Sequence, residues 1–354
     1  MGALPATGAT ATMAGNAIQP DMIPADTGVK VDSRWQVQLQ RAWRDPAALL
    51  RHLGHDPARF GLAAGATFPF MVTEAFADRM RLGDPDDPLL RQVLPLADED
   101  RMVAGFGPDP VGDAASRATQ GVLHKYRGRA LLIATGACPI HCRYCFRREF
   151  DYAGDGLNGA ALAGAVDYIA ATPDVEEVIL SGGDPLMLAN HRLARLTDAL
   201  AAIPHYRRLR IHSRMPITLP ARIDNACVDW LQGLDRQLVV VVHANHPNEF
   251  DQEVSSALSR MRDAGATILN QAVLLAGVND SASTLARLMK AAFEAGALPY
   301  YLHSLDRVSG SAHFEVGRGR AAALIQELRE CLPGYLVPRL VEERAGAPSK
   351  LPVP

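Results

Sequence analysis

Apolar residues from about position 129 onward fall into short runs that alternate with longer amphipathic stretches. The runs are rich in Val, Ile and Leu and lie at 130–135, 176–181, 208–213, 237–242, 268–275 and 298–303. Stretches with helical spacing separate them, namely NGAALAGAVDYIAA, HRLARLTDALAAI, QEVSSALSRMRDAG and TLARLMKAAFEAG. Apolar strands connected by helices are typical of a parallel sheet covered by helices. Six successive units predict an α/β fold with a partial (β/α)6 barrel.

The same pattern divides the chain into four parts. Residues 1–28 are rich in Ala, Gly, Thr and Pro, which predicts a flexible leader. Residues 29–120 predict a helical N-terminal region, and 121–310 predict the barrel. Residues 311–354 are expected to form a C-terminal tail with one helix over AAALIQELREC and an extended end.

Three segments of the N-terminal region carry helix signals. WQVQLQRAW is the first, and DPAALLRHLG is the second, with Asp45 as N-cap and Pro46 at the first helical position. TEAFADRMRL predicts a third helix that ends at Gly83. The nearby GFGPDPVG stretch superficially looks like a dinucleotide fingerprint, but it follows no strand and opens no helix, so no nucleotide site is predicted there.

Composition narrows the classes of function. The 354 residues carry a net charge of -3 and no long basic run, so nothing favours a nucleic-acid partner. The first basic residue is Lys30, which leaves the N-terminus without the positive segment of a signal peptide. No apolar run approaches the ~20 residues that cross a bilayer. We therefore expect a cytoplasmic protein with no nucleic-acid and no membrane partner.

Cysteine provides the first chemical signal. Five cysteines do not make a disulfide framework in a chain of this length. Cys227 and Cys331 fall in apolar stretches and are expected to be buried. The other three, Cys138, Cys142 and Cys145, form a C-x3-C-x2-C motif within ACPIHCRYCFRR.

This motif predicts an iron–sulfur centre. Three thiolates from one loop can hold three irons of a [4Fe-4S] cluster, which leaves the fourth iron open for a ligand. The alternative is a Cys3His zinc site that includes His141. Structural zinc sites usually combine a tight C-x2-C with a distant second pair, so the cluster is favoured.

A glycine-rich turn follows the second predicted strand, at the end where the active sites of α/β barrels lie. Its residues are Ser181, Gly182, Gly183 and Asp184. Glycines allow a backbone to approach a ligand closely, although a tight turn closing the strand is the alternative. Beside a C-x3-C-x2-C loop, the ligand contact is favoured.

Polar residues also mark the third, fourth and fifth strands. The third ends in HSR at 212–214, and the fourth ends near His243 and His246. These two histidines could bind a metal, but no carboxylate or thiol completes a ligand set, so contact with a bound cofactor is favoured. Asn270 and Gln271 lie inside the fifth strand, where a buried amide needs either a ligand or a backbone group as its partner.

Seven blocks, in chain order, resemble the radical S-adenosylmethionine (SAM) lysine 2,3-aminomutases: HKYRGRALLIAT, CRYCFRR, VILSGGDPL, HSRMPITLPARI, HANHPNEF, NQAVLLAGVND and PYYLHSLD. The resemblance covers roughly 124–350. It implies an isomerase whose cofactors are a [4Fe-4S] cluster, SAM and pyridoxal 5′-phosphate (PLP). In that family, the reduced cluster cleaves SAM to a 5′-deoxyadenosyl radical, and the amino group of PLP-bound lysine migrates from C2 to C3.

The resemblance assigns expected roles to the matching residues. The three motif cysteines are expected to bind the cluster. Further cofactor contacts are implied for Tyr144, Ser181, Gly182, Gly183, Asp184, His243 and Gln271. Lys350, in AGAPSKLP, matches the lysine that forms the Schiff base with PLP. The small, turn-forming residues before it allow the tail to bend into a cavity, where desolvation would favour the neutral amine.

Charged residues are implied for two further subsites. Lys125, Tyr126 and Arg129 match the residues that clamp the PLP phosphate, and two cations with a hydroxyl suit a dianion.

Recognition of the substrate is assigned to both of its ends. Arg147 matches the residue that binds the amino-acid carboxylate, for which a planar bidentate donor is suited. Asp306 and Glu343 match the carboxylates that receive the distal ammonium. Paired acids favour a dibasic substrate, L-lysine, over glutamate.

Three features depart from the catabolic enzymes of this family. The chain ends four residues beyond Lys350, AGAPSK replaces a polyglycine stretch, and His303 stands where a tyrosine is usual. All three resemble the shorter enzyme that makes (R)-β-lysine for elongation factor P. The resemblance implies a functional link to that factor and its lysyl ligase, and an electron donor such as flavodoxin or ferredoxin. A catabolic or biosynthetic aminomutase, or a radical SAM enzyme without PLP, are the alternatives.

Overall fold

A sheet of ten strands, in which sequence neighbours are also spatial neighbours, organises the chain. The computed structural model describes residues 34–63, 68–152, 156–157 and 159–353. The leader predicted over 1–28 therefore lies outside the described residues. The strands are β1 (Arg117–Thr119), β2 (Val122–Tyr126), β3 (Arg129–Thr135), β4 (Glu177–Gly182), β5 (Arg208–Ser213), β6 (Gln237–His243), β7 (Thr267–Val273), β8 (Leu298–His303), β9 (Arg339–Glu342) and β10 (Leu351–Pro352).

Strands β3 to β9 are parallel, and antiparallel strands flank them on both sides. The six predicted strands are confirmed as β3 to β8, and the partial barrel is confirmed with them. A seventh parallel strand, β9, comes from the predicted tail, and β1 from the predicted helical region. The sheet therefore extends past both predicted ends of the barrel.

Helices of two kinds accompany this sheet: most cover its outer face, and three short ones within 46–91 form a separate apolar cluster. They are α1 (Arg34–Gln40), α2 (Pro46–His52), α3 (Glu74–Ala77), α4 (Pro88–Arg91), α5 (Gly159–Ala170), α6 (Asn190–Ala201), α7 (Met215–Thr218), α8 (Asn225–Gln232), α9 (Gln252–Asp263), α10 (Ala282–Glu294) and α11 (Arg318–Cys331). Helices α5, α6, α9, α10 and α11 confirm the amphipathic predictions. None of the helices in the described ranges has both the length and the apolar character that crossing a bilayer needs.

Strand side chains alternate between this helix-covered core and the inside of the barrel. In β5, Leu209 and Ile211 are buried in the main apolar cluster, whereas Arg210 and His212 line an internal cavity. The alternation is what directs polar groups of otherwise apolar strands toward the cavity.

The N-terminal region is helical only in short pieces. The Asp45 carboxylate caps α2 by accepting from the Ala47 backbone N at 2.9 Å, as predicted. The prediction that the third helix reaches Gly83 is wrong, because α3 ends at Ala77. The Arg79 side chain bonds the Ala75 carbonyl at 2.9 Å, and the chain turns back so that the Gly83 N donates to the Leu53 carbonyl. The GFGPDPVG stretch forms bends and turns without a helix or a named strand, as its prolines predicted.

The two cysteines outside the motif differ in their environment. Cys227 is fully buried in α8, as expected. The expectation for Cys331 is wrong, because this residue is exposed at the end of α11. The helix stops there, and Leu332, in extended backbone, takes the buried position instead.

Candidate active site

One cavity of about 250 Å³ lies at the carboxyl ends of the parallel strands. Every residue to which the family resemblance assigns a role lines it: Cys138, Cys142, Cys145, Lys125, Tyr126, Arg129, Tyr144, Arg147, Ser181, Gly182, Gly183, Asp184, His243, Gln271, Asp306, Glu343 and Lys350. Residues more than 200 positions apart thus meet in one place, as expected where parallel strands end at the same edge.

The three motif cysteines share this cavity. Burial raises the pKa of Cys138, and burial together with repulsion from Cys142 raises the pKa of Cys145 to about 11. Thiolates there need a compensating cation, which the irons of a cluster supply. His141 does not line the cavity; its ring packs 5.3 Å from that of Phe68. The zinc alternative needs His141 beside the cysteines, and its ring lies outside the cavity that all three cysteines line.

The glycine-rich turn is packed against the cysteine loop. A Cβ atom on Gly183 would lie 2.4 Å from the Ala137 carbonyl oxygen, and one on Gly182 would lie 2.6 Å from that of Thr135. Gly182 also has a φ of 110°, which disfavours other residues. The glycines therefore allow two backbones to meet, which is a more immediate reason for them than the approach of a ligand.

Asp184 is committed to the scaffold of the site. One carboxylate oxygen accepts from the Ser213 hydroxyl at 2.8 Å and the Leu186 N at 3.0 Å. The other accepts from the backbone N of Arg214 at 2.7 Å and of Met215 at 3.0 Å. This carboxylate joins the ends of β4 and β5, and its cofactor contact stays a prediction.

Tyr144 and His243 face each other across the cavity, with ring centroids 5.7 Å apart. Asn245 connects them, since its Nδ2 donates to the Tyr144 hydroxyl at 2.6 Å and its Oδ1 lies 3.2 Å from His243 Nε2. Burial lowers the pKa of His243 to about 4, so the ring is neutral near pH 7.

The contacts of His246, Asn270 and Gln271 decide between a bound ligand and a protein group as the partner of each side chain. His246 accepts a hydrogen bond from the Asn248 N and caps a short turn, so it does not join His243 in a metal site. Asn270 bonds the backbone of Ala244 through both ends of its amide, at 3.0 and 3.2 Å. Gln271 lines the cavity.

Alternating charges cross the other half of the cavity. Arg147 Nε donates to Asp113 Oδ2 at 2.6 Å, and Asp113 Oδ1 lies 2.5 Å from Lys125 Nζ. Lys125 also donates to Glu343 Oε1 at 2.8 Å, and Lys350 Nζ donates to Glu343 Oε2 at 2.5 Å. This chain of five residues, here called the ion-pair chain, runs from the cysteine loop to the C-terminal lysine.

A hairpin brings Lys350 to the cavity. Leu351 of β10 pairs with Glu342 of β9, so the preceding Lys350 lies beside Glu343. The turn between the strands contains Gly346 at a φ of 75°, which an L side chain rarely adopts. The prediction that the small residues before Lys350 bend the tail inward is confirmed.

The pKa values of two carboxylates in this half are shifted in opposite directions. Burial raises the pKa of Asp306 to about 7, despite the partial compensation from Lys350. Burial also opposes ionisation of Glu343, but Lys350 and Lys125 outweigh it and lower its pKa to about 2. Glu343 is thus a permanent anion, whereas Asp306 needs a further cation beside it to stay ionised.

The three residues expected to bind the PLP phosphate do not all face the same way. Arg129 lies over the Tyr126 ring, with its Cζ 4.6 Å from the ring centroid. Burial and the nearby Glu343 carboxylate raise the pKa of the Tyr126 hydroxyl. Lys125 is turned toward two carboxylates, as described above. Arg129 and Tyr126 therefore fit an anion, and Lys125 fits one only by exchanging a carboxylate for it.

Sequence reasoning missed several polar residues of the cavity, among them Arg210 and Asp113. Arg210 lines the cavity and pairs with Glu177, and its inward position in RLRIHS was visible as a charge at an alternate position of an apolar strand. Asp113 has no such signal, because it follows the GFGPDPVG stretch and meets its partners only in the fold.

Two buried ring nitrogens in the cavity, Nε2 of His212 and of His303, have no hydrogen-bond partner within the described part of the chain. Such groups fit a polar ligand.

Comparisons with known proteins agree with this site. Residues 132–289 match the Radical SAM superfamily model. The L-lysine 2,3-aminomutase of Escherichia coli strain K12 is 48% identical over 322 residues, which are 90% of this chain and 94% of the relative. That of Haemophilus influenzae is 42% identical, covering 93% of this chain and 98% of the relative. The chain therefore belongs to the L-lysine 2,3-aminomutase family, a family of isomerases whose cofactors are a [4Fe-4S] cluster, SAM and PLP.

More distant relatives differ in length or in fold detail. The L-lysine 2,3-aminomutase of Clostridium subterminale is 34% identical over 283 residues, which are 80% of this chain and 68% of the relative. A radical SAM methyltransferase structure from Sphaerobacter thermophilus is 15% identical with a TM-score of 0.43, covering 62% of this chain and 68% of that one. A likeness this distant says nothing of the reaction.

Proposed function

We propose that this protein converts L-α-lysine to (R)-β-lysine with SAM and PLP, and that the product serves the modification of elongation factor P. One observation carries the first part: Lys350 meets Cys138, Cys142 and Cys145 in one cavity. A radical source and a lysine able to carry PLP in one cavity suit amino-group migration, and neither alone would do so.

Each cofactor has residues that suit it. Cys138, Cys142 and Cys145 would hold the cluster, and Lys350 would hold PLP, with Arg129 near its phosphate. When bound, the cluster and SAM supply a carbon-centred radical, and PLP carries the amino group that moves. The surrounding protein fixes the orientation of the groups around the cavity.

The substrate would lie between the two ends of the ion-pair chain. Arg147 is oriented by Asp113 and would bind the carboxylate of lysine. Asp306 and Glu343 would bind the distal ammonium, and a cation there would keep Asp306 ionised at neutral pH. An acidic substrate such as glutamate would bring a third negative charge to the same place.

The test is anaerobic turnover by the reconstituted protein with SAM, PLP and dithionite. We expect β-lysine from L-lysine, no product from L-glutamate, and SAM recovered after each turnover. Reactions without SAM control for chemistry that needs no radical. Unchanged α-lysine, with iron, sulfide and PLP contents verified, would count against the assignment.

The link to elongation factor P is supported by features of the site. His303 lines the cavity, and its Nε2 has no hydrogen-bond partner among the residues that the structure describes. It stands where the catabolic enzymes are expected to carry a tyrosine. Deleting the gene and measuring the mass of elongation factor P tests the link. Loss of a β-lysyl modification supports it, and an unchanged mass favours a catabolic or biosynthetic role for free β-lysine.

A further inference from the structure

Arg214 carries a buried positive charge against the cysteine loop. It follows β5, its side chain is 7% exposed, and its Nη1 donates to Cys142 Sγ at 2.6 Å. Neither the cysteine motif nor the ion-pair chain accounts for a guanidinium at this position. Its contact with the sulfur therefore needs an explanation of its own.

Two buried acceptors fix the guanidinium from its other side. Arg214 Nη2 donates to Gln92 Oε1 at 2.7 Å and to Glu249 Oε2 at 3.0 Å. Glu249 is itself fixed, since its Oε1 accepts from the backbone N of Asn245 at 2.8 Å and of His246 at 3.1 Å. Arg214 cannot turn away from Cys142 without leaving the Glu249 carboxylate buried and unpaired.

Aromatic rings close the remaining space around it. The Arg214 Cζ lies 5.2 Å from the centroid of the Phe76 ring and 5.8 Å from that of Tyr144. These faces favour a cation and exclude water. The guanidinium is therefore pre-oriented, and its hydrogen bond to the sulfur acts in a medium of low polarity, where it is stronger than in water.

We propose that Arg214 is a positioning residue that raises the reduction potential of the cluster through Cys142. Hydrogen bonds to ligand sulfurs and the net charge nearby set the potentials of iron–sulfur clusters. A donor with a fixed positive charge stabilises the reduced form, so the cluster accepts its single electron from the external one-electron donor more readily. The inference rests on the cluster ligands of the proposed function.

The test is a potentiometric titration followed by the electron paramagnetic resonance signal of the reduced cluster. For Arg214→Gln we expect the equilibrium for one-electron reduction to fall at least about tenfold, which is about 59 mV for a one-electron couple. Arg214→Lys keeps the positive charge but loses the planar guanidinium with its several N–H donors, so we expect a smaller fall in the reduction potential. Iron and sulfide contents are measured on every sample, and the unsubstituted protein reports separately on whether a cluster forms.

Arg222→Gln is the matched control. Arg222 is as deeply buried as Arg214, but its hydrogen bonds go to the carbonyls of Leu186 and Leu188 and to the Asn190 amide. We expect this variant to lose stability without a change in potential.

Three results would overturn the inference. One is an unchanged potential in Arg214→Gln with full iron occupancy, and another is an equal shift in Arg222→Gln. The third is loss of the cluster from both Arg214 variants while their circular dichroism stays native, which would assign Arg214 to cluster assembly alone. Absence of a cluster from the unsubstituted protein would instead contradict the proposed function.

Discussion

The two halves of the cavity are held together by different forces. At the cysteine end, backbone meets backbone at Gly183, and the Asp184 carboxylate accepts from three backbone amides and a hydroxyl. At the lysine end, the ion-pair chain from Arg147 to Lys350 joins the walls through opposite charges. Substitutions that change volume should therefore disturb the contact between the glycine-rich turn and the cysteine loop, and substitutions that change charge should disturb the ion-pair chain.

The largest effect is expected at Lys350. Lys350→Ala removes the amine to which PLP would attach, and we expect turnover to fall at least about 10³-fold, as when a group acting directly in a reaction is removed. Turnover is measured as β-lysine formed, with circular dichroism to verify folding. Arg344→Ala is the control. It removes a cation of the same hairpin, one that pairs with Glu342 at the surface, and it should leave turnover unchanged. Turnover by Lys350→Ala within a factor of ten of the unsubstituted protein contradicts the assignment.

Asp306→Asn should remove the attraction for the distal ammonium. We expect kcat/KM for lysine to fall about 10²-fold, on the scale of losing one partner of a buried charge pair. Because the pKa of Asp306 is raised to about 7, kcat/KM of the unsubstituted protein should fall as pH drops through 7, and the variant should lack that dependence.

The melting temperature of Asp306→Asn tests the raised pKa of Asp306 independently of activity. A carboxyl group whose folded pKa is raised destabilises the fold increasingly between its unfolded pKa and 7, and fully above 7. The variant should therefore melt at a higher temperature than the parent at pH 8, with a smaller gain at pH 5. Glu315→Gln, which breaks an ion pair with Arg307, is the matched control and should show neither effect.

Glu343 and Glu342 are adjacent but should contribute very different amounts to the free energy of unfolding. Glu343→Gln leaves Lys125 and Lys350 without their shared anion and should cost about 3 kcal/mol of unfolding free energy at pH 7. The pKa of Glu343 is lowered to about 2, so its contribution is present above the unfolded pKa and is lost as pH falls toward 2. Glu342→Gln, at the surface, should cost less than about 1 kcal/mol. Urea unfolding between pH 3 and 7 measures both, and equal costs would refute the distinction.

The smallest effect is expected from volume at the cysteine end. A methyl group on Gly183 meets the Ala137 carbonyl, so Gly183→Ala should cost about 1–3 kcal/mol and lower the iron content. Gly164→Ala in α5 has open space and should be neutral or stabilising by up to about 1 kcal/mol. Full iron content and unchanged stability in Gly183→Ala would contradict this prediction, because they would show that the glycine-rich turn and the cysteine loop can move apart at little cost.

The same contrast explains what could be predicted from the sequence. The cysteine end consists of local motifs that each follow a strand, and apolar runs of six to eight residues indicated those strands. The short strands β1, β9 and β10 have no such run, and their pairing depends on neighbours distant in sequence. The ion-pair chain was only partly visible, because Asp113 has no local signal and joins Lys125 to Arg147 only in the fold.

The account depends most on Lys350 as the point where PLP joins the radical site, and borohydride reduction tests this directly. The chain has four lysines, at 30, 125, 290 and 350, so peptide mapping by mass spectrometry identifies the modified one without ambiguity. After incubation with PLP and reduction, we predict a pyridoxyl adduct on Lys350 and none on that peptide from Lys350→Ala. An adduct confined to another lysine, or none at all, would contradict the account.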